Sequence, residues 1–351
     1  ILPHMVISMA SVKKEALRQI ISFRSFIFGI SLAIIVYLAI AIFSGWEDLM
    51  TYLFQVNPLI VLLAMLLSLT NYIFRFLKWH IFTQSLGLDI PLNKNFQVFI
   101  AGLSLSITPA KVGEAIRALL LQKLISTDIS KGLASTFSER LIDLLAVTIL
   151  ALVGIVVLGS KQSIIYLPIL VLILVCILIG VLIFLSDSLY KIISRIFYVN
   201  PWRSMGAKVD KFRSDVVVTF NFIPFFAALS LSIIGWACEG LGFFILAQNL
   251  GITINFEAAI FIYATSSLLG AISFLPGGLG VVEGSMEIFM ADLLAITTAL
   301  AGALIILIRM TTLWFGVGLG VIFLLLMMRN INNNSLANRY SDKQLMSKME
   351  E

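Results

Sequence analysis

Apolar residues run along this chain in long blocks that are separated by short polar segments. A helix needs about 20 consecutive apolar residues to cross a hydrocarbon core of about 30 Å. Six blocks reach or approach that length, at about 23–43, 57–79, 139–158, 163–185, 222–249 and 297–328. Because backbone polar groups must be paired inside a membrane, the pattern predicts an all-α, polytopic membrane protein with about six full spans.

Two further apolar stretches, at about 96–125 and 256–294, are interrupted in the middle by proline and glycine. The first breaks at 108–114 and the second at 275–280. Each could be a re-entrant hairpin or two short spans, and hairpins that cross would raise the total to eight spans. The apolar arm before the first break has only 13 residues, about 20 Å of helix, which favours a hairpin there. The second stretch has longer arms, so spanning stays open for it.

The two broken stretches resemble each other in sequence. Segment 87–97 aligns with 251–257 when four residues are left unpaired, and an apolar arm follows each segment. The first arm leads to Pro109, Gly113 and Glu114, and the second leads to Pro276, Gly280 and Glu283. Further downstream, Glu139 and Arg140 of the first copy occupy the place that Arg309 takes in the second. The alternative is that both breaks are ordinary helix kinks and that their similarity is due to chance. The shared order of proline, glycine and glutamate favours an internal repeat instead.

Three spans separate the start of one unit from the start of the next, so we expect the two copies to lie upside down relative to each other. Repeat one would cover about 57–158 and repeat two about 222–328. Inverted repeats whose broken helices meet near the membrane midplane are a transporter architecture. The sequence therefore predicts one hairpin entering from each face of the membrane.

Lysine and arginine are unevenly distributed along the chain, although the net charge is only +5. Segments 1–22, 186–221 and 329–351 contain several of them, whereas 221–308 contains none. Basic segments next to membrane spans tend to stay in the cytoplasm. We therefore predict that both termini are cytoplasmic, with 1–22 as an N-terminal segment, 23–328 as one transmembrane domain and 329–351 as a polar tail. The expected location is the cell membrane.

The composition argues against several classes of protein. Hydrophobic residues make up 60% of the chain and charged residues 12%, against about 45–50% and about 25% in soluble domains. Cys176 and Cys238 lie inside apolar runs, and His4 and His80 are the only histidines, so no disulfide, metal site or histidine-based catalytic site is expected. We therefore predict no cofactor, no nucleic-acid partner and no enzymatic activity.

Several ionisable residues lie inside the apolar stretches, where each costs at least ~2.5–3.5 kcal/mol unless it finds a partner. Simple ion pairing would join Arg140 to Asp143, and Arg309 to Glu239 or Glu283. Their concentration near the two breaks favours a shared polar cavity, where arginines and free helix N-terminal amides would suit a phosphate group. The candidate substrate-binding residues are Arg75, Lys111, Glu114, Arg117, Glu139, Arg140, Asp143, Glu239, Pro276, Gly277, Gly278, Gly280, Glu283 and Arg309.

Four sequence elements carry a family resemblance. They are the segment from Arg75 to Trp79, the Pro109, Gly113, Glu114 and Arg117 pattern, the Glu139, Arg140 and Asp143 pattern, and the Pro276, Gly277, Gly278, Gly280 and Glu283 pattern. Together they resemble the lysylphosphatidylglycerol synthase transmembrane-region family, often called flippase-like, over about 26–328. The resemblance implies a role in moving lipids or lipid-linked intermediates between leaflets. Aminoacyl-lipid members add a soluble C-terminal transferase domain, which we expect to be absent here because the chain ends soon after its last span.

We accordingly expect a lipid translocase that moves an anionic phospholipid or a polyprenyl-phosphate-linked lipid by alternating access. Its partners would be that lipid and a separate lipid-modifying or glycan-assembly enzyme. An ion-coupled transporter of polar solutes is the alternative, since carboxylates near the midplane could bind protons. A membrane glycosyltransferase that uses Glu47 and Asp48 of the first outer loop is a lesser alternative. The cargo, direction, energy source and oligomeric state stay open.

Overall fold

The computed structural model describes residues 23–159, 165–194 and 203–329. The predicted N-terminal segment and nearly all of the predicted polar tail lie outside these residues. The helices are α1 (Phe23–Ser44), α2 (Trp46–Gln55), α3 (Pro58–Ser85), α4 (Leu92–Leu103), α5 (Ile116–Ile125), α6 (Ile129–Leu158), α7 (Leu167–Leu185), α8 (Asp187–Ser194), α9 (Arg203–Thr219), α10 (Phe222–Asn249), α11 (Phe256–Ile272), α12 (Val281–Leu294) and α13 (Thr298–Arg329). Short 3-10 turns, Pro109–Ala115 and Pro276–Gly278, lie within the two breaks, and α13 contains a π turn at Met310–Trp314.

Six of these helices are long and apolar enough to cross a membrane, namely α1, α3, α6, α7, α10 and α13. The all-helical, multi-pass prediction is therefore confirmed, while the sidedness of the termini stays a prediction. Two helices are longer than predicted, since α3 continues to Ser85 and α6 begins at Ile129. The additional turns are more polar than the spans, so the apolar pattern did not include them. Helix α6 begins before its apolar run because the Asp128 carboxylate accepts the Ser130 N–H at 3.0 Å and caps the helix there.

Helices α3 and α10 have the same length and end in the same way. Each has 28 residues and follows an asparagine, Asn57 or Asn221. Each is followed by a glycine of positive φ, Gly87 at 67° and Gly251 at 79°, whose N–H donates to a glutamine carbonyl at 2.9 and 3.0 Å respectively. Such a left-handed glycine is a common helix ending. A constant offset of 164 positions, from Asn57 to Asn221 and from Gly87 to Gly251, thus relates the two helices.

Both broken stretches form pairs of short helices. Helices α4 and α5 have 12 and 10 residues, and α11 and α12 have 17 and 14 residues. At 1.5 Å per residue these arms are about 15–26 Å long, which is shorter than the hydrocarbon thickness. The lengths fit re-entrant hairpins in both stretches, including the second, for which the sequence left spanning open.

The two hairpins lie at opposite ends of α6. Near the start of α6, Gly132 packs against Ala118 of α5, and near its end Gly154 packs against the backbone of α11. The two breaks are in contact with each other, and Ile107, the residue just before the first break, lies beside Gly277 of the second. Relative to this long helix, the two hairpins therefore pack at opposite ends, while the inverted repeat stays a prediction.

Helices α3 and α10 pack closely along the centre of the molecule, where Gly235 faces Asn71 and Gly242 lies against Ala64. One apolar cluster involves mainly α6, α10, α11, α12 and α13, and another lies mainly among α3, α4, α5 and the end of α13. Helix α7 differs, because Leu170 is its one buried residue. Its exposed apolar surface is that of a helix that faces lipid.

Candidate functional site

Seven ionisable side chains cluster around the first break. They come from α3, the 3-10 turn, α5 and α6, and they are Arg75, Lys78, Glu114, Arg117, Glu139, Arg140 and Asp143. All of them except Arg140 are buried. Spacings of three and four positions place the members of each helix on one face. Four cations meet three carboxylates, so this first-break cluster carries one excess positive charge when every group is ionised.

Glu139 is the centre of the first-break cluster. Its Oε1 lies 3.0 Å from Arg75 Nη2 and 2.9 Å from Arg140 Nη2, while its Oε2 lies 2.5 Å from Arg117 Nη1. One carboxylate thus joins α3 and α5 to α6. Desolvation offsets much of the attraction in buried ion pairs, but removing a shared partner leaves buried charges uncompensated. Glu139 therefore holds the first hairpin against two of the long helices.

Asp143 connects the first-break cluster to helix α10. Its Oδ1 accepts hydrogen bonds from Lys78 Nζ at 2.5 Å, from Ser232 Oγ at 3.0 Å and from Trp236 Nε1 at 3.0 Å. Ser232 and Trp236 belong to α10. The pair predicted between Arg140 and Asp143 is present but long, with 3.8 Å between Nη1 and Oδ2. Asp143 therefore links α3, α6 and α10 at one point.

Arg117 is enclosed by protein. Its guanidinium carbon lies 4.4 Å from the centre of the Phe99 ring and 5.3 Å from that of Trp79. Gly102 provides the space, because a Cβ at this position would lie 2.1 Å from Arg117 Nε. Arg117 therefore stabilises the first hairpin. The sequence analysis placed this residue among the substrate-binding candidates and did not distinguish the two roles. The side chain of Lys111, another predicted site residue, lies outside the described part of the structure.

The second break is formed around one ion pair and a glycine-rich bend. Arg309 Nε lies 2.7 Å from Glu283 Oε1, which is one of the two pairings expected for this arginine. Glu283 Oε2 accepts the Gly280 N–H at 2.7 Å and so caps α12, and Arg309 Nη2 donates to the Gly277 carbonyl at 2.7 Å. Gly277, Gly278 and Gly280 have φ values of 59°, 69° and 86°, a conformation that glycine adopts without steric penalty.

Glu239 of α10 lies between the two breaks. Its Oε1 accepts a hydrogen bond from Asn71 Nδ2 at 2.5 Å, and its Oε2 accepts one from the Tyr263 hydroxyl. Nearby, the Tyr72 hydroxyl donates to the Thr312 carbonyl at 2.5 Å, within the π turn of α13. A π turn interrupts the regular helical hydrogen bonds and often marks a functional site. Polar contacts therefore continue from the first break to the last helix.

A cavity of about 90 Å³ lies in this central region. Of the predicted site residues, Arg75, Glu114, Glu239, Gly277, Gly278 and Arg309 line it, together with the aromatic residues Tyr72, Trp236 and Tyr263. Arg117, Glu139, Arg140 and Asp143 support one side of the wall, and Pro276, Gly280 and Glu283 belong to the bend on the other side. Since one water needs about 10–15 Å³ of such volume, the cavity has room for on the order of six waters, or for one phosphate-sized group.

The sequence analysis did not include six polar or aromatic residues of this region among its candidate site residues, although one of them, Lys78, lies in the Arg75–Trp79 segment that carries the family resemblance. They are Asn71, Tyr72, Lys78, Ser232, Trp236 and Tyr263. A signal existed on α3, because Asn71, Arg75 and Lys78 are separated by four and three positions and share one face of an apolar helix. The residues of α10 and α11 gave no such signal, since serine and aromatic residues are common in membrane helices for packing reasons alone.

Residues 27–320 match the sequence profile of a family described as the lysylphosphatidylglycerol synthase TM region. A UPF0104 membrane protein of Methanocaldococcus jannaschii is 30% identical over 67% of this chain and 98% of its own length. Another, from Methanothermobacter thermautotrophicus, is 25% identical over 84% of this chain and 91% of its own length. One from Pyrococcus horikoshii is 23% identical over 80% and 91%. The family match includes both breaks and every residue that lines the cavity.

Proposed function

We propose that this chain, which belongs to the lysylphosphatidylglycerol synthase transmembrane-region family, is a lipid translocase. Its cargo would be an anionic phospholipid or a polyprenyl-phosphate-linked lipid, which it moves between leaflets by alternating access. The observation that carries the proposal is the polar cavity between the two breaks. Arg75 of the first repeat and Arg309 of the second both lie in its wall.

The chemistry of the cavity supports an anionic headgroup as cargo. A guanidinium offers several N–H donors in a planar fork that matches phosphate oxygens. Placing an arginine inside a membrane protein is costly, and such residues usually mark a substrate pathway. At about 90 Å³, the cavity suits a phosphate-sized headgroup, while acyl or prenyl chains would stay in the bilayer.

The placement of the hairpins supports alternating access. They reach the cavity from opposite ends of α6, and broken helices of inverted repeats surround the binding sites of many transporters. A rocking motion of one repeat against the other would expose the cavity to each leaflet in turn. The positive-φ glycines of the second break, Gly277, Gly278 and Gly280, supply a backbone with the freedom that such a motion needs.

In this proposal the protein works in the cell membrane and performs no covalent chemistry itself. A separate enzyme would make or consume the lipid. The glycosyltransferase alternative relied on Glu47 and Asp48, which lie exposed in the first turn of α2. At that place they interact favourably with the positive end of the helix dipole. Their position therefore has a structural reason that involves no catalysis.

An ion-coupled transporter of a polar solute is the second candidate. The observation that favours it is the presence of Glu114 and Glu239 in the cavity wall, because carboxylates at membrane depth often bind protons or cations. A cavity of this size would also admit a small solute. The two candidates differ in whether a labelled lipid changes leaflet.

A leaflet assay with the purified protein in liposomes tests the proposal. Trace NBD-labelled phosphatidylglycerol is included, and dithionite then bleaches only the dye that reaches the outer leaflet. We expect bleaching beyond the outer-leaflet share with the wild-type protein, and loss of this excess in Arg309→Gln because the arginine fork is removed. Arg329→Gln changes an exposed arginine at the end of the same helix and should have no effect.

NBD-labelled phosphatidylcholine, whose headgroup is neutral overall, provides the control for leakage. Wild-type liposomes that bleach phosphatidylglycerol no further than protein-free liposomes would contradict lipid translocation. Equal bleaching of both lipids would contradict selection of an anionic headgroup. Size-exclusion chromatography of each variant shows whether the substitution has disturbed folding.

A further inference from the structure

A hydrogen-bonded network away from the cavity joins the end of α3 to the start of α4. Trp79 Nε1 donates to Asn95 Oδ1 at 2.7 Å, and Asn95 Nδ2 donates to Thr83 Oγ1 at 3.0 Å. The same Asn95 Nδ2 lies 3.0 Å from Nδ1 of His80. Asn95, Trp79 and Thr83 are completely buried, whereas His80 is partly exposed. The network therefore fastens the first arm of the first hairpin to a long helix, beside a histidine that water can reach.

The partners of Asn95 fix the orientation of its amide group. The indole N–H of Trp79 can only donate, so the Asn95 atom that lies 2.7 Å from it must be the carbonyl oxygen. The Thr83 hydroxyl donates to the His80 carbonyl at 2.9 Å, so its oxygen is the acceptor for one amide hydrogen of Asn95. The second amide hydrogen is then directed at the His80 ring.

This contact decides which form of the His80 ring the network accepts. An amide nitrogen donates hydrogen bonds and does not accept them, so Nδ1 must be the acceptor and the proton of the neutral ring must be on Nε2. A charged ring carries a hydrogen on both nitrogens, and its Nδ1–H would face the amide hydrogens of Asn95. A flip of the amide would leave the buried Trp79 N–H without an acceptor, which is costly. The network thus requires the neutral ring.

The charged side chains on the surrounding elements have partners elsewhere or are exposed. On α3 itself, Arg75 and Lys78 pair with Glu139 and Asp143 of α6. The others are Lys131 of α6, which donates to the Leu86 carbonyl, Asp215, Lys211 and Arg213 of α9, which bond to Ser130, Asp128 and Asp187, and the exposed Asp89, Lys94, Lys123 and Arg329. No ion pair among the described residues includes His80.

We infer that His80 is a pH-sensitive latch of the first hairpin: its neutral ring holds α4 against α3, and protonation of the ring releases the start of the hairpin. Histidine changes its charge between about pH 5 and about pH 8. Because the docked hairpin binds the neutral ring, the contact is present at the upper end of this range and is lost toward the lower end. The same hairpin carries Ser106 and Glu114 of the cavity wall, so acid should also slow leaflet exchange, a consequence that rests on the proposed function.

His80→Asn tests the latch with an acceptor that does not titrate. The asparagine carbonyl can take the place of Nδ1 and accept from Asn95 at every pH in this range. Hydrogen–deuterium exchange of peptides from α4 is measured by mass spectrometry in detergent, and the variant is compared with the wild type at the same pH. We expect equal exchange at about pH 8. At about pH 5.5 we expect α4 of the wild type to exchange about fivefold faster than that of the variant, as for the loss of one hydrogen bond.

Two further variants identify the titrating group and its partner. His4→Asn makes the same substitution at the other histidine of the chain, which lies outside the described residues, and should keep the acid response of the wild type. Asn95→Asp places a carboxylate oxygen opposite Nδ1, where it accepts from the charged ring. Acid should therefore not loosen α4 in Asn95→Asp. This variant decides the question even if His80→Asn does not fold, and size-exclusion chromatography shows whether each variant has folded.

The outcomes separate the latch from the proposed function. Wild-type α4 that exchanges no faster than that of His80→Asn at about pH 5.5 overturns the latch, and so does loss of the acid response in His4→Asn. Leaflet exchange of short-chain NBD-phosphatidylglycerol is followed at both pH values by back-extraction with albumin. Exchange that is absent at both values overturns the proposed function and leaves the latch intact. Exchange that does not slow in acid, although α4 loosens, overturns the effect of the latch on transport alone.

Discussion

The first and second breaks are built from different kinds of contact. Around the first, seven ionisable side chains join three helices, and Glu139 alone binds three arginines. Around the second, one ion pair between Arg309 and Glu283 is combined with backbone contacts to Gly277 and Gly280. The first break is thus held mainly by side chains, and the second mainly by the conformation of its own backbone.

This difference indicates which half of the molecule is rigid. Several charge-assisted hydrogen bonds that share atoms fix the geometry of the first break. Three glycines of positive φ in the second break leave its chain more conformational freedom. We therefore expect the first hairpin to serve as the stable side of the cavity and the second hairpin as the side that moves. The following predictions test that comparison.

The largest effect is expected from Glu139→Gln. This change leaves the buried Arg75 and Arg117 and the partly exposed Arg140 without their shared carboxylate, and breaking a buried pair in this way costs about 3–5 kcal/mol. We expect a much lower melting temperature and loss of the monodisperse peak in size-exclusion chromatography. Glu287→Gln, at a partly exposed carboxylate, should stay within about 0.5 kcal/mol of the wild type. Equal stability of the two variants would show that the charge cluster does not hold the first break.

A moderate effect is expected from Gly278→Ala in the second break. The residue has φ 69°, and a Cβ there would lie 2.8 Å from Val282 Cγ2 and 3.1 Å from the Gly270 Cα. The left-handed conformation costs a non-glycine residue about 1–2 kcal/mol. We expect a moderate fall in melting temperature and a larger proportional loss of leaflet exchange, because the backbone of the moving side is stiffened.

Gly284→Ala is the control for this prediction. Gly284 lies in α12, where an added Cβ would meet no atom within 4 Å, and alanine favours a helix by about 0.5–1 kcal/mol over glycine. Its stability and leaflet exchange should therefore equal or exceed those of the wild type. If Gly278→Ala left exchange unchanged, the second break would not be the moving side.

The smallest effect is expected from Asp128→Ala, at the start of the helix that carries Glu139. Asp128 caps α6 through the Ser130 N–H and accepts a hydrogen bond from Lys211 of α9. Loss of such a cap costs about 1 kcal/mol. The hydrogen bond from Lys211 is the main cause that lowers the pKa of Asp128, and the Ser130 N–H adds to it.

This shift predicts the pH dependence of the Asp128→Ala effect. Because the folded-state pKa of Asp128 is lowered, its contribution to stability is present above the ordinary aspartate value of about 3.9 and is lost as the pH falls further. Melting curves at neutral and acidic pH should show the wild type and the variant converging in acid. A difference that stays constant would mean that the charge of Asp128 contributes nothing.

Several features of the fold could be predicted from local sequence. The breaks at Pro109 and Pro276 interrupt apolar runs, and proline and glycine are visible interruptions of a helix. The ends of the helices were less predictable, since α6 begins at Ile129, ten residues before the apolar run. Its first turns are polar, and they are held in the helix by packing against α5 and α9 and by the Asp128 cap. A hydropathy pattern does not report such contacts.

The apolar runs alone establish that this protein spans a membrane several times and contains two broken stretches, because long apolar runs have few stable forms in lipid other than helices. The place of each charged side chain, in contrast, follows from how the helices pack. Arg117 and Arg309 look alike in sequence, yet one is packed beneath Phe99 and the other lines the cavity. Their roles depend on contacts between segments that are distant in sequence, such as Asn71 with Glu239, and these contacts exist only when helices α3 and α10 pack together.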